Sequence, residues 1–265
     1  MFASERIRII KSILLDKKHI DVSTLSTMLD VSEVTIRRDL EKLEKEEFLE
    51  RTHGGAILNQ QEADSEEGNL ELTNDPYLKE RLEIGEIASH LIAKNDIILL
   101  SQGLTNQCIA KKLLKKQNIT VLTNDLTIAE ELSSNNSINV ILPGGNLDST
   151  SMSLIGKLTE ENIRNFYVDK AFIEVEGVSP DRGYTVNSIE KASLLKECLK
   201  ISKQKIIVCH HSVFYNNSFA QLGLLNSVEK IITNSEMPDY FKKYYFENDI
   251  QVFTSLNIYE SSFDE

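Results

Sequence analysis

Arg37 and Arg38 stand side by side in the stretch VSEVTIRRDLEKLE, residues 31–44. Ile36, Leu40 and Leu43 recur there at i, i+4 and i+7, so a helix must turn them inward. At about 100° per residue, Val34, Arg38 and Lys42 then fall on the opposite side, with Thr35 and Arg37 at its flanks. Guanidinium forks on an outer helix face match base edges and phosphates. Ser32 is placed to cap the helix, and a hydroxyl near its positive start suits an anion. The next stretch, EFLERTHGGAI, predicts two short strands around a glycine turn. It would set Arg51 and His53 against a nucleic-acid backbone or minor groove, and Gly54 lets the turn tighten. Candidate contacts to double-stranded DNA are therefore Ser32, Thr35, Arg37, Arg38, Lys42, Arg51, His53 and Gly54. The competing reading is a small helical interaction domain whose basic face is merely solvated.

A second set of groups could bind a small molecule. SQGLTN carries Gln102, Gly103, Thr105 and Asn106; TND carries Asn124; PGGN carries Gly144 and Gly145; EVEGV carries Glu176. Glycine and hydroxyl groups where a strand hands over to a helix can cradle an anion with backbone N–H groups. Glu176 can accept bonds from sugar hydroxyls. Each stretch alone is also ordinary turn chemistry. Their recurrence after successive strands points to one shared pocket.

The elements that position these groups follow from periodicity. Residues 4–16 predict an amphipathic helix, and Leu25, Met28 and Leu29 supply the apolar face of a second, capped at Ser23. With the Arg37–Arg38 helix they make a helix-turn-helix, and the glycine ribbon adds a wing. Farther on, apolar runs at 96–100, 119–122, 139–142, 170–175, 205–209, 230–233 and 251–254 predict strands. Helices are expected at 77–93, 104–116, 126–134, 188–202 and 239–246. Near-continuous apolar strands alternating with helices predict an α/β domain with a mostly parallel sheet covered on both faces. Ligands in such sheets bind at the carboxyl ends of the strands, where the second set of groups falls.

Residues 59–75, NQQEADSEEGNLELTND, are polar and acidic without sustained periodicity. They predict a linker between a DNA-binding domain at 1–58 and an effector-sensing and oligomerisation domain at 76–265; a long surface loop is the alternative. The 265-residue chain has a formal charge of −12. Residues 1–58 hold ten Lys/Arg and eleven Asp/Glu, a net of −1, which leaves −11 elsewhere. The acidic charge thus lies away from the segment expected to meet a polyanion. No apolar run approaches the roughly 20 residues of a membrane helix. With no secretory pattern at the start, a cytoplasmic protein without a membrane partner is expected. Cys108, Cys198 and Cys209 are too scattered for a thiol motif and are expected as free thiols. A zinc site from Cys209, His210 and His211 is disfavoured because neighbours on a strand point to opposite faces. No catalytic residue, cofactor or resident metal is expected.

ERIRIIKSIL, VSEVTIRRDLEKLE and RTHGGAI resemble the N-terminal signature of the DeoR family of bacterial transcriptional regulators. IAKNDIILLSQGLTNQCIAKKL, VLTNDLTIAEEL, VILPGGNLD, DKAFIEVEGV and IEKASLLKECL resemble its sensor domain in order and spacing. The resemblance implies a ribose-5-phosphate isomerase/CoA-transferase-like fold that binds a phosphorylated sugar or related metabolite and so loosens a repressor from DNA. It implies an operator partner, a homo-oligomer (dimer or tetramer) and control of carbohydrate-metabolism genes. The sequence departs from the family pattern at Ser101, Leu104 and Asn106 in the first loop. Glu174 stands where the family has glycine, and Val213 where it has lysine. A lost lysine and an added carboxylate both weaken anion binding, which His210 or His211 could offset if protonated. Two other readings are therefore carried: a sugar-phosphate isomerase-like enzyme with Glu176 as base, and a regulator whose pocket has lost phosphate binding.

Overall fold

The computed structural model describes residues 6–7, 9–11, 13–14, 19–45, 48–52, 54–58 and 75–255. The chain divides into two compact units, Met1–Asp75 and Pro76–Glu265.

In the first unit the described residues between 6 and 14 are helical. Helix α1 (Val22–Leu29) follows, then α2 (Glu33–Lys45). The turn between them passes through Asp30 in the left-handed conformation (φ 51°), which a short polar side chain tolerates. It is tied by Ser26 Oγ donating to Val31 O at 2.6 Å. Ile10, Leu14, Leu25, Ile36, Leu40 and Leu43 close one apolar core with Phe48 and Leu49. Asp39 lies on the same inward face of α2, and Arg6 Nε donates to its Oδ2 at 2.5 Å.

A three-stranded antiparallel sheet completes the unit, with β1 (His19–Asp21), β2 (Leu49–Arg51) and β3 (Gly55–Leu58) in the order β1-β3-β2. The sequence predicts the ribbon but not β1. Asp21 pairs with Gly55, and a Cβ at Gly55 would lie 2.2 Å from Ile20 O. Glycine is required there by the approach of β1. A Cβ at Gly54 meets nothing within 4 Å.

The second unit is built on seven parallel strands. In chain order it contains α3 (Leu78–His90), β4 (Ile97–Leu100), α4 (Leu104–Leu113), β5 (Ile119–Thr123), α5 (Leu126–Ser133) and β6 (Ile138–Ile141). A hairpin of β7 (Asn146–Asp148) and β8 (Ser153–Ile155) leads to α6 (Lys157–Ile163) and β9 (Val168–Glu174). Then come β10 (Gly177–Ser179), β11 (Gly183–Val186), α7 (Ile189–Lys200), β12 (Ser202–Val208), β13 (Ala220–Gly223), β14 (Lys230–Ile232), α8 (Asp239–Glu247) and β15 (Gln251–Phe253). The main sheet runs β15-β14-β12-β9-β4-β5-β6. Ile98 and Leu100 enter one apolar core, with Ile84, Ile109 and Ile128 of the helices; Leu99 enters the other, with Leu195 and Phe241. Alternation along β4 therefore serves both faces, as the continuous apolar run requires.

From β4 the chain winds outward through β5 to β6, then returns to place β9 on β4's other side. The strand order thus reverses between β4 and β9, the position where an open α/β sheet forms a crevice at its carboxyl ends.

Gly55→Ala should lower the stability of the first unit by about 1–3 kcal/mol through overpacking. Gly54→Ala should stay within about 0.5 kcal/mol. Thermal unfolding of the two full-length variants, followed by circular dichroism, checks this; equal melting would refute the account of the ribbon.

Candidate functional site

The outer face of α2 is as the periodicity requires. Arg37, Arg38 and Lys42 are exposed, and Val34 is 62% exposed although apolar. Among the described residues Arg38 and Lys42 have no ion-pair partner, whereas Arg37 lies 3.5 Å from Glu33 one turn back. Ser32 caps the helix: its Oγ accepts from Thr35 N at 3.3 Å and lies 2.9 Å from Thr35 Oγ1. Arg51 is turned back onto α2, with Nη1 3.1 Å from Glu41 and 3.7 Å from Glu44. Gly54 is exposed in the β2–β3 turn, and His53 lies outside the described residues.

The expected effector residues gather at the carboxyl ends of β4, β5, β6 and β9. Gln102, Gly103, Thr105, Asn106 and Asn124 form a largely buried hydrogen-bonded cluster through Ser101, Asp125 and Glu174. Gln102 and Asn124 bond reciprocally, Gln102 N to Asn124 Oδ1 at 3.1 Å and Asn124 Nδ2 to Gln102 Oε1 at 2.8 Å. Asn124 Nδ2 also donates to Leu154 O at 3.2 Å, which ties in the β7–β8 hairpin. Gly103 N donates to Asp125 Oδ2 at 3.2 Å. Asp125 caps α5 as well, accepting from Thr127 N and Ile128 N. Burial pushes its carboxyl up, and the Ile128 and Gly103 donors pull it back. Gly144 and Gly145 follow β6; Thr159 of α6 donates to Gly144 O at 2.9 Å, and Asn162 to Pro143 O at 2.7 Å. A groove of about 560 Å³ lined by Met237, Phe246 and Phe253 includes none of these residues.

Glu174 is the centre of the cluster. It ends β9, is buried, and its carboxylate sits on the start of α4. Thr105 N and Thr105 Oγ1 each donate to it at 2.8 Å, and Asn106 N at 3.2 Å. Arg81 Nη1 of α3 reaches its Oε1 at 2.7 Å and Thr105 Oγ1 at 2.5 Å. Burial pushes the Glu174 carboxyl up, against the pull of Arg81, Lys191 and the Thr105 and Asn106 donors. Each of these partners is a donor or a cation, so the arrangement suits the ionised carboxylate. Glu176 follows, ion-paired with Lys191 of α7 and accepting from Asn187 N at 3.2 Å.

Three of the places where the sequence departs from the family pattern, Ser101, Asn106 and Glu174, touch one another. Asn106 Nδ2 donates to Ser101 O at 2.8 Å and lies 3.0 Å from Ser101 Oγ; that hydroxyl in turn accepts from Glu174 N at 3.0 Å. Val213 belongs to the apolar core. His210 is buried and stacks on Tyr77 at 4.3 Å. His211 Nε2 lies 3.1 Å from Glu236.

Glu80, His211 and Glu236 are the one group of His, Cys and carboxylate residues near enough to share a cation among the described residues. Asn234 Oδ1 accepts from His211 N at 2.8 Å, which leaves its Nδ2 facing His211 Nδ1 at 3.0 Å. Nδ1 is then the acceptor and Nε2 carries the proton toward Glu236. A metal at Nε2 needs the opposite tautomer. The three cysteines are buried free thiols, and burial pushes Cys198 up to about 12.

Sequence reading overlooked Arg81 and Lys191. Each sits on an apolar helix face, with Ile84 and Ala88 or with Leu194, Leu195 and Cys198. A charge in that register signals a buried partner.

Residues 6–62 match the DeoR-like helix-turn-helix domain and residues 77–235 the DeoR C terminal sensor domain. The chain belongs to the DeoR family. An uncharacterized HTH-type transcriptional regulator of Bacillus subtilis, YulB, is 35% identical over 89% of this chain and 90% of its own length. The HTH-type transcriptional repressor GlcR of the same organism is 34% identical over 88% and 89%. The transcriptional repressor AccR of Agrobacterium fabrum is 31% identical over 85% and 87%. Ribose 5-phosphate isomerase A from Methanocaldococcus jannaschii aligns over 51% of this chain and 53% of its own, at 11% identity and a TM-score of 0.38. No helix among the described residues of this DeoR-family chain is long and apolar enough to cross a membrane.

Arg81→Met should strand the buried carboxylate and cost about 3–5 kcal/mol at neutral pH. Without Arg81 the Glu174 pKa moves further above its unfolded value. Stability is then lost as pH rises through that interval, so the deficit should be smallest near pH ~4 and grow toward pH ~7. Urea unfolding across that range tests it; a pH-independent deficit would show that Arg81 acts through packing alone.

Proposed function

We propose that this chain is a sequence-specific repressor that binds an operator through α2 and is released by a small hydroxylated metabolite of carbohydrate metabolism. The observation that carries the reading is the outer face of α2, where Arg38 and Lys42 stand exposed beside Val34 and Thr35 in a winged unit. Arg38 is assigned to a base edge, and Val34 suits the methyl of thymine. Lys42 and Arg37 are assigned to phosphates, with Ser32, Thr35, His53 and Gly54 at the same interface. Arg51 joins them only if it leaves Glu41 and Glu44.

Residues 1–58 are taken as the DNA-binding domain, 59–75 as the linker and 76–265 as the sensor and oligomerisation domain. A phosphorylated sugar is the effector class that the family implies; Gln102, Gly103, Thr105, Asn106, Asn124, Gly144, Gly145 and Glu176 surround the assigned site. One winged unit covers a short half-site, and two-fold dimers bind half-sites about 10–10.5 base pairs apart. At least a dimer is therefore expected. No observation favours the isomerase reading. Its base would be Glu176, and both oxygens of that carboxylate are engaged by Lys191 and Asn187.

Arg38→Ala should weaken binding to the DNA upstream of the protein's own gene by about 1–3 kcal/mol and relax specificity at one position. Lys42→Ala should weaken all sequences alike and lower the salt slope by about 1. Fluorescence anisotropy over a salt series measures both. Unchanged binding in a variant with Arg37 and Arg38 both replaced by alanine would overturn the assignment.

A further inference from the structure

We propose that Glu174 is a specificity-determining residue of the sensor domain, holding the anion position at the start of α4 so that the effector presents hydroxyl groups there and no phosphate. This rests on reading the strand-end cluster as the effector site of a DNA-binding regulator.

The position is an anion site by construction. Two backbone N–H groups at a helix start, the Thr105 hydroxyl and the Arg81 guanidinium converge on one carboxylate. It lies at the reversal of strand order, between β4 and β9, where a ligand is expected. Glu174 and a phosphate cannot share it. A Cβ at Gly103 would already fall 2.3 Å from Glu174 Oε2, so the carboxylate fills the space that the loop leaves open.

The neighbouring charges are also matched. Lys191 pairs with Glu176, and Asp125 accepts from the N–H groups of Gly103, Thr127 and Ile128. Two buried acceptors of the cluster, Asn106 Oδ1 and Gln107 Oε1, have no partner among the described residues. Asn106 Nδ2 is committed to Ser101 and Phe172 O, which fixes the amide orientation. A hydroxyl donor satisfies such acceptors, whereas a phosphate dianion, which only accepts, is repelled by them. The chemistry points to a sugar or polyol that carries no phosphate at this end.

Full-length wild type, Glu174→Gly and the double variant Glu174→Gly/Arg81→Met are compared by thermal shift and calorimetry with inorganic phosphate, against chloride at equal ionic strength. Wild type should show no saturable stabilisation. Glu174→Gly frees the two N–H groups, the hydroxyl and the guanidinium; its Tm should rise by about 5 °C or more at phosphate a hundredfold above Kd. The double variant should lose that rise. A folded Glu174→Gly that gains nothing would overturn the proposal, as would saturable phosphate binding by wild type. Should Glu174→Gly fail to fold, wild type is titrated with matched free and phosphorylated sugars. Tenfold or tighter binding of a phosphorylated member refutes the proposal, and its absence supports it. Anisotropy with upstream DNA on the same wild-type preparation separates the two levels: lost DNA binding sinks the regulator reading, and phosphate binding with DNA binding intact sinks only the role of Glu174.

Discussion

A charged side chain on the apolar face of a helix must meet its opposite inside the protein, or the helix cannot dock. Among the described residues, helices α2, α3 and α7 carry such a charge. Asp39 of α2 receives Arg6, Arg81 of α3 receives Glu174, and Lys191 of α7 receives Glu176. Arg6–Asp39 and Arg81–Glu174 join parts distant in the chain, and each of the three pairs removes alternatives: a helix rotated by one residue would bury the charge against hydrocarbon. Apolar packing supplies the bulk of the stabilisation, since it involves nearly every strand and helix. The pairs specify which of the possible packings is taken.

The same constraint explains what was legible in the sequence. All seven strands of the main sheet and its flanking helices α3, α4, α5, α7 and α8 could be read, because long apolar runs and helical stripes are one-dimensional signals. β1, the β7–β8 hairpin, α6 and the separate sheet of β10, β11 and β13 could not. Asn146–Asp148 and Ser153–Ile155 are three residues each, and their pairing depends on a partner that periodicity does not reveal. The site was half legible. Small and polar residues after each strand marked the loops, but Glu174 looked like an obstacle at the edge of a pocket. Its partner Arg81 is 93 positions away in sequence, and no local pattern joins them.

In the first unit the acidic groups shape the face proposed to meet DNA as much as the basic ones. Glu33 lies beside Arg37, and Glu41 and Glu44 hold Arg51 against α2. Such exposed pairs are each worth about 1 kcal/mol or less, so a phosphate can compete for either arginine. Arg38 and Lys42 need no such exchange. The unit therefore contains two cations without an ion-pair partner among the described residues, Arg38 and Lys42, and two that are already paired, Arg37 and Arg51.

The strand order has a consequence for how the polypeptide reaches this state during synthesis. β4 pairs with β9 across about seventy positions, Ile98 facing Lys170. A ribosome adding about 5–20 residues per second needs roughly 4–14 s to supply that stretch. During this interval Arg81 has no carboxylate to meet and one side of β4 is an open edge. The first unit has its strand partners within about forty residues and can close long before. The same strand, β9, covers that edge of β4 and ends in the carboxylate that pairs with the guanidinium, so both gaps close only once residues 168–174 are made.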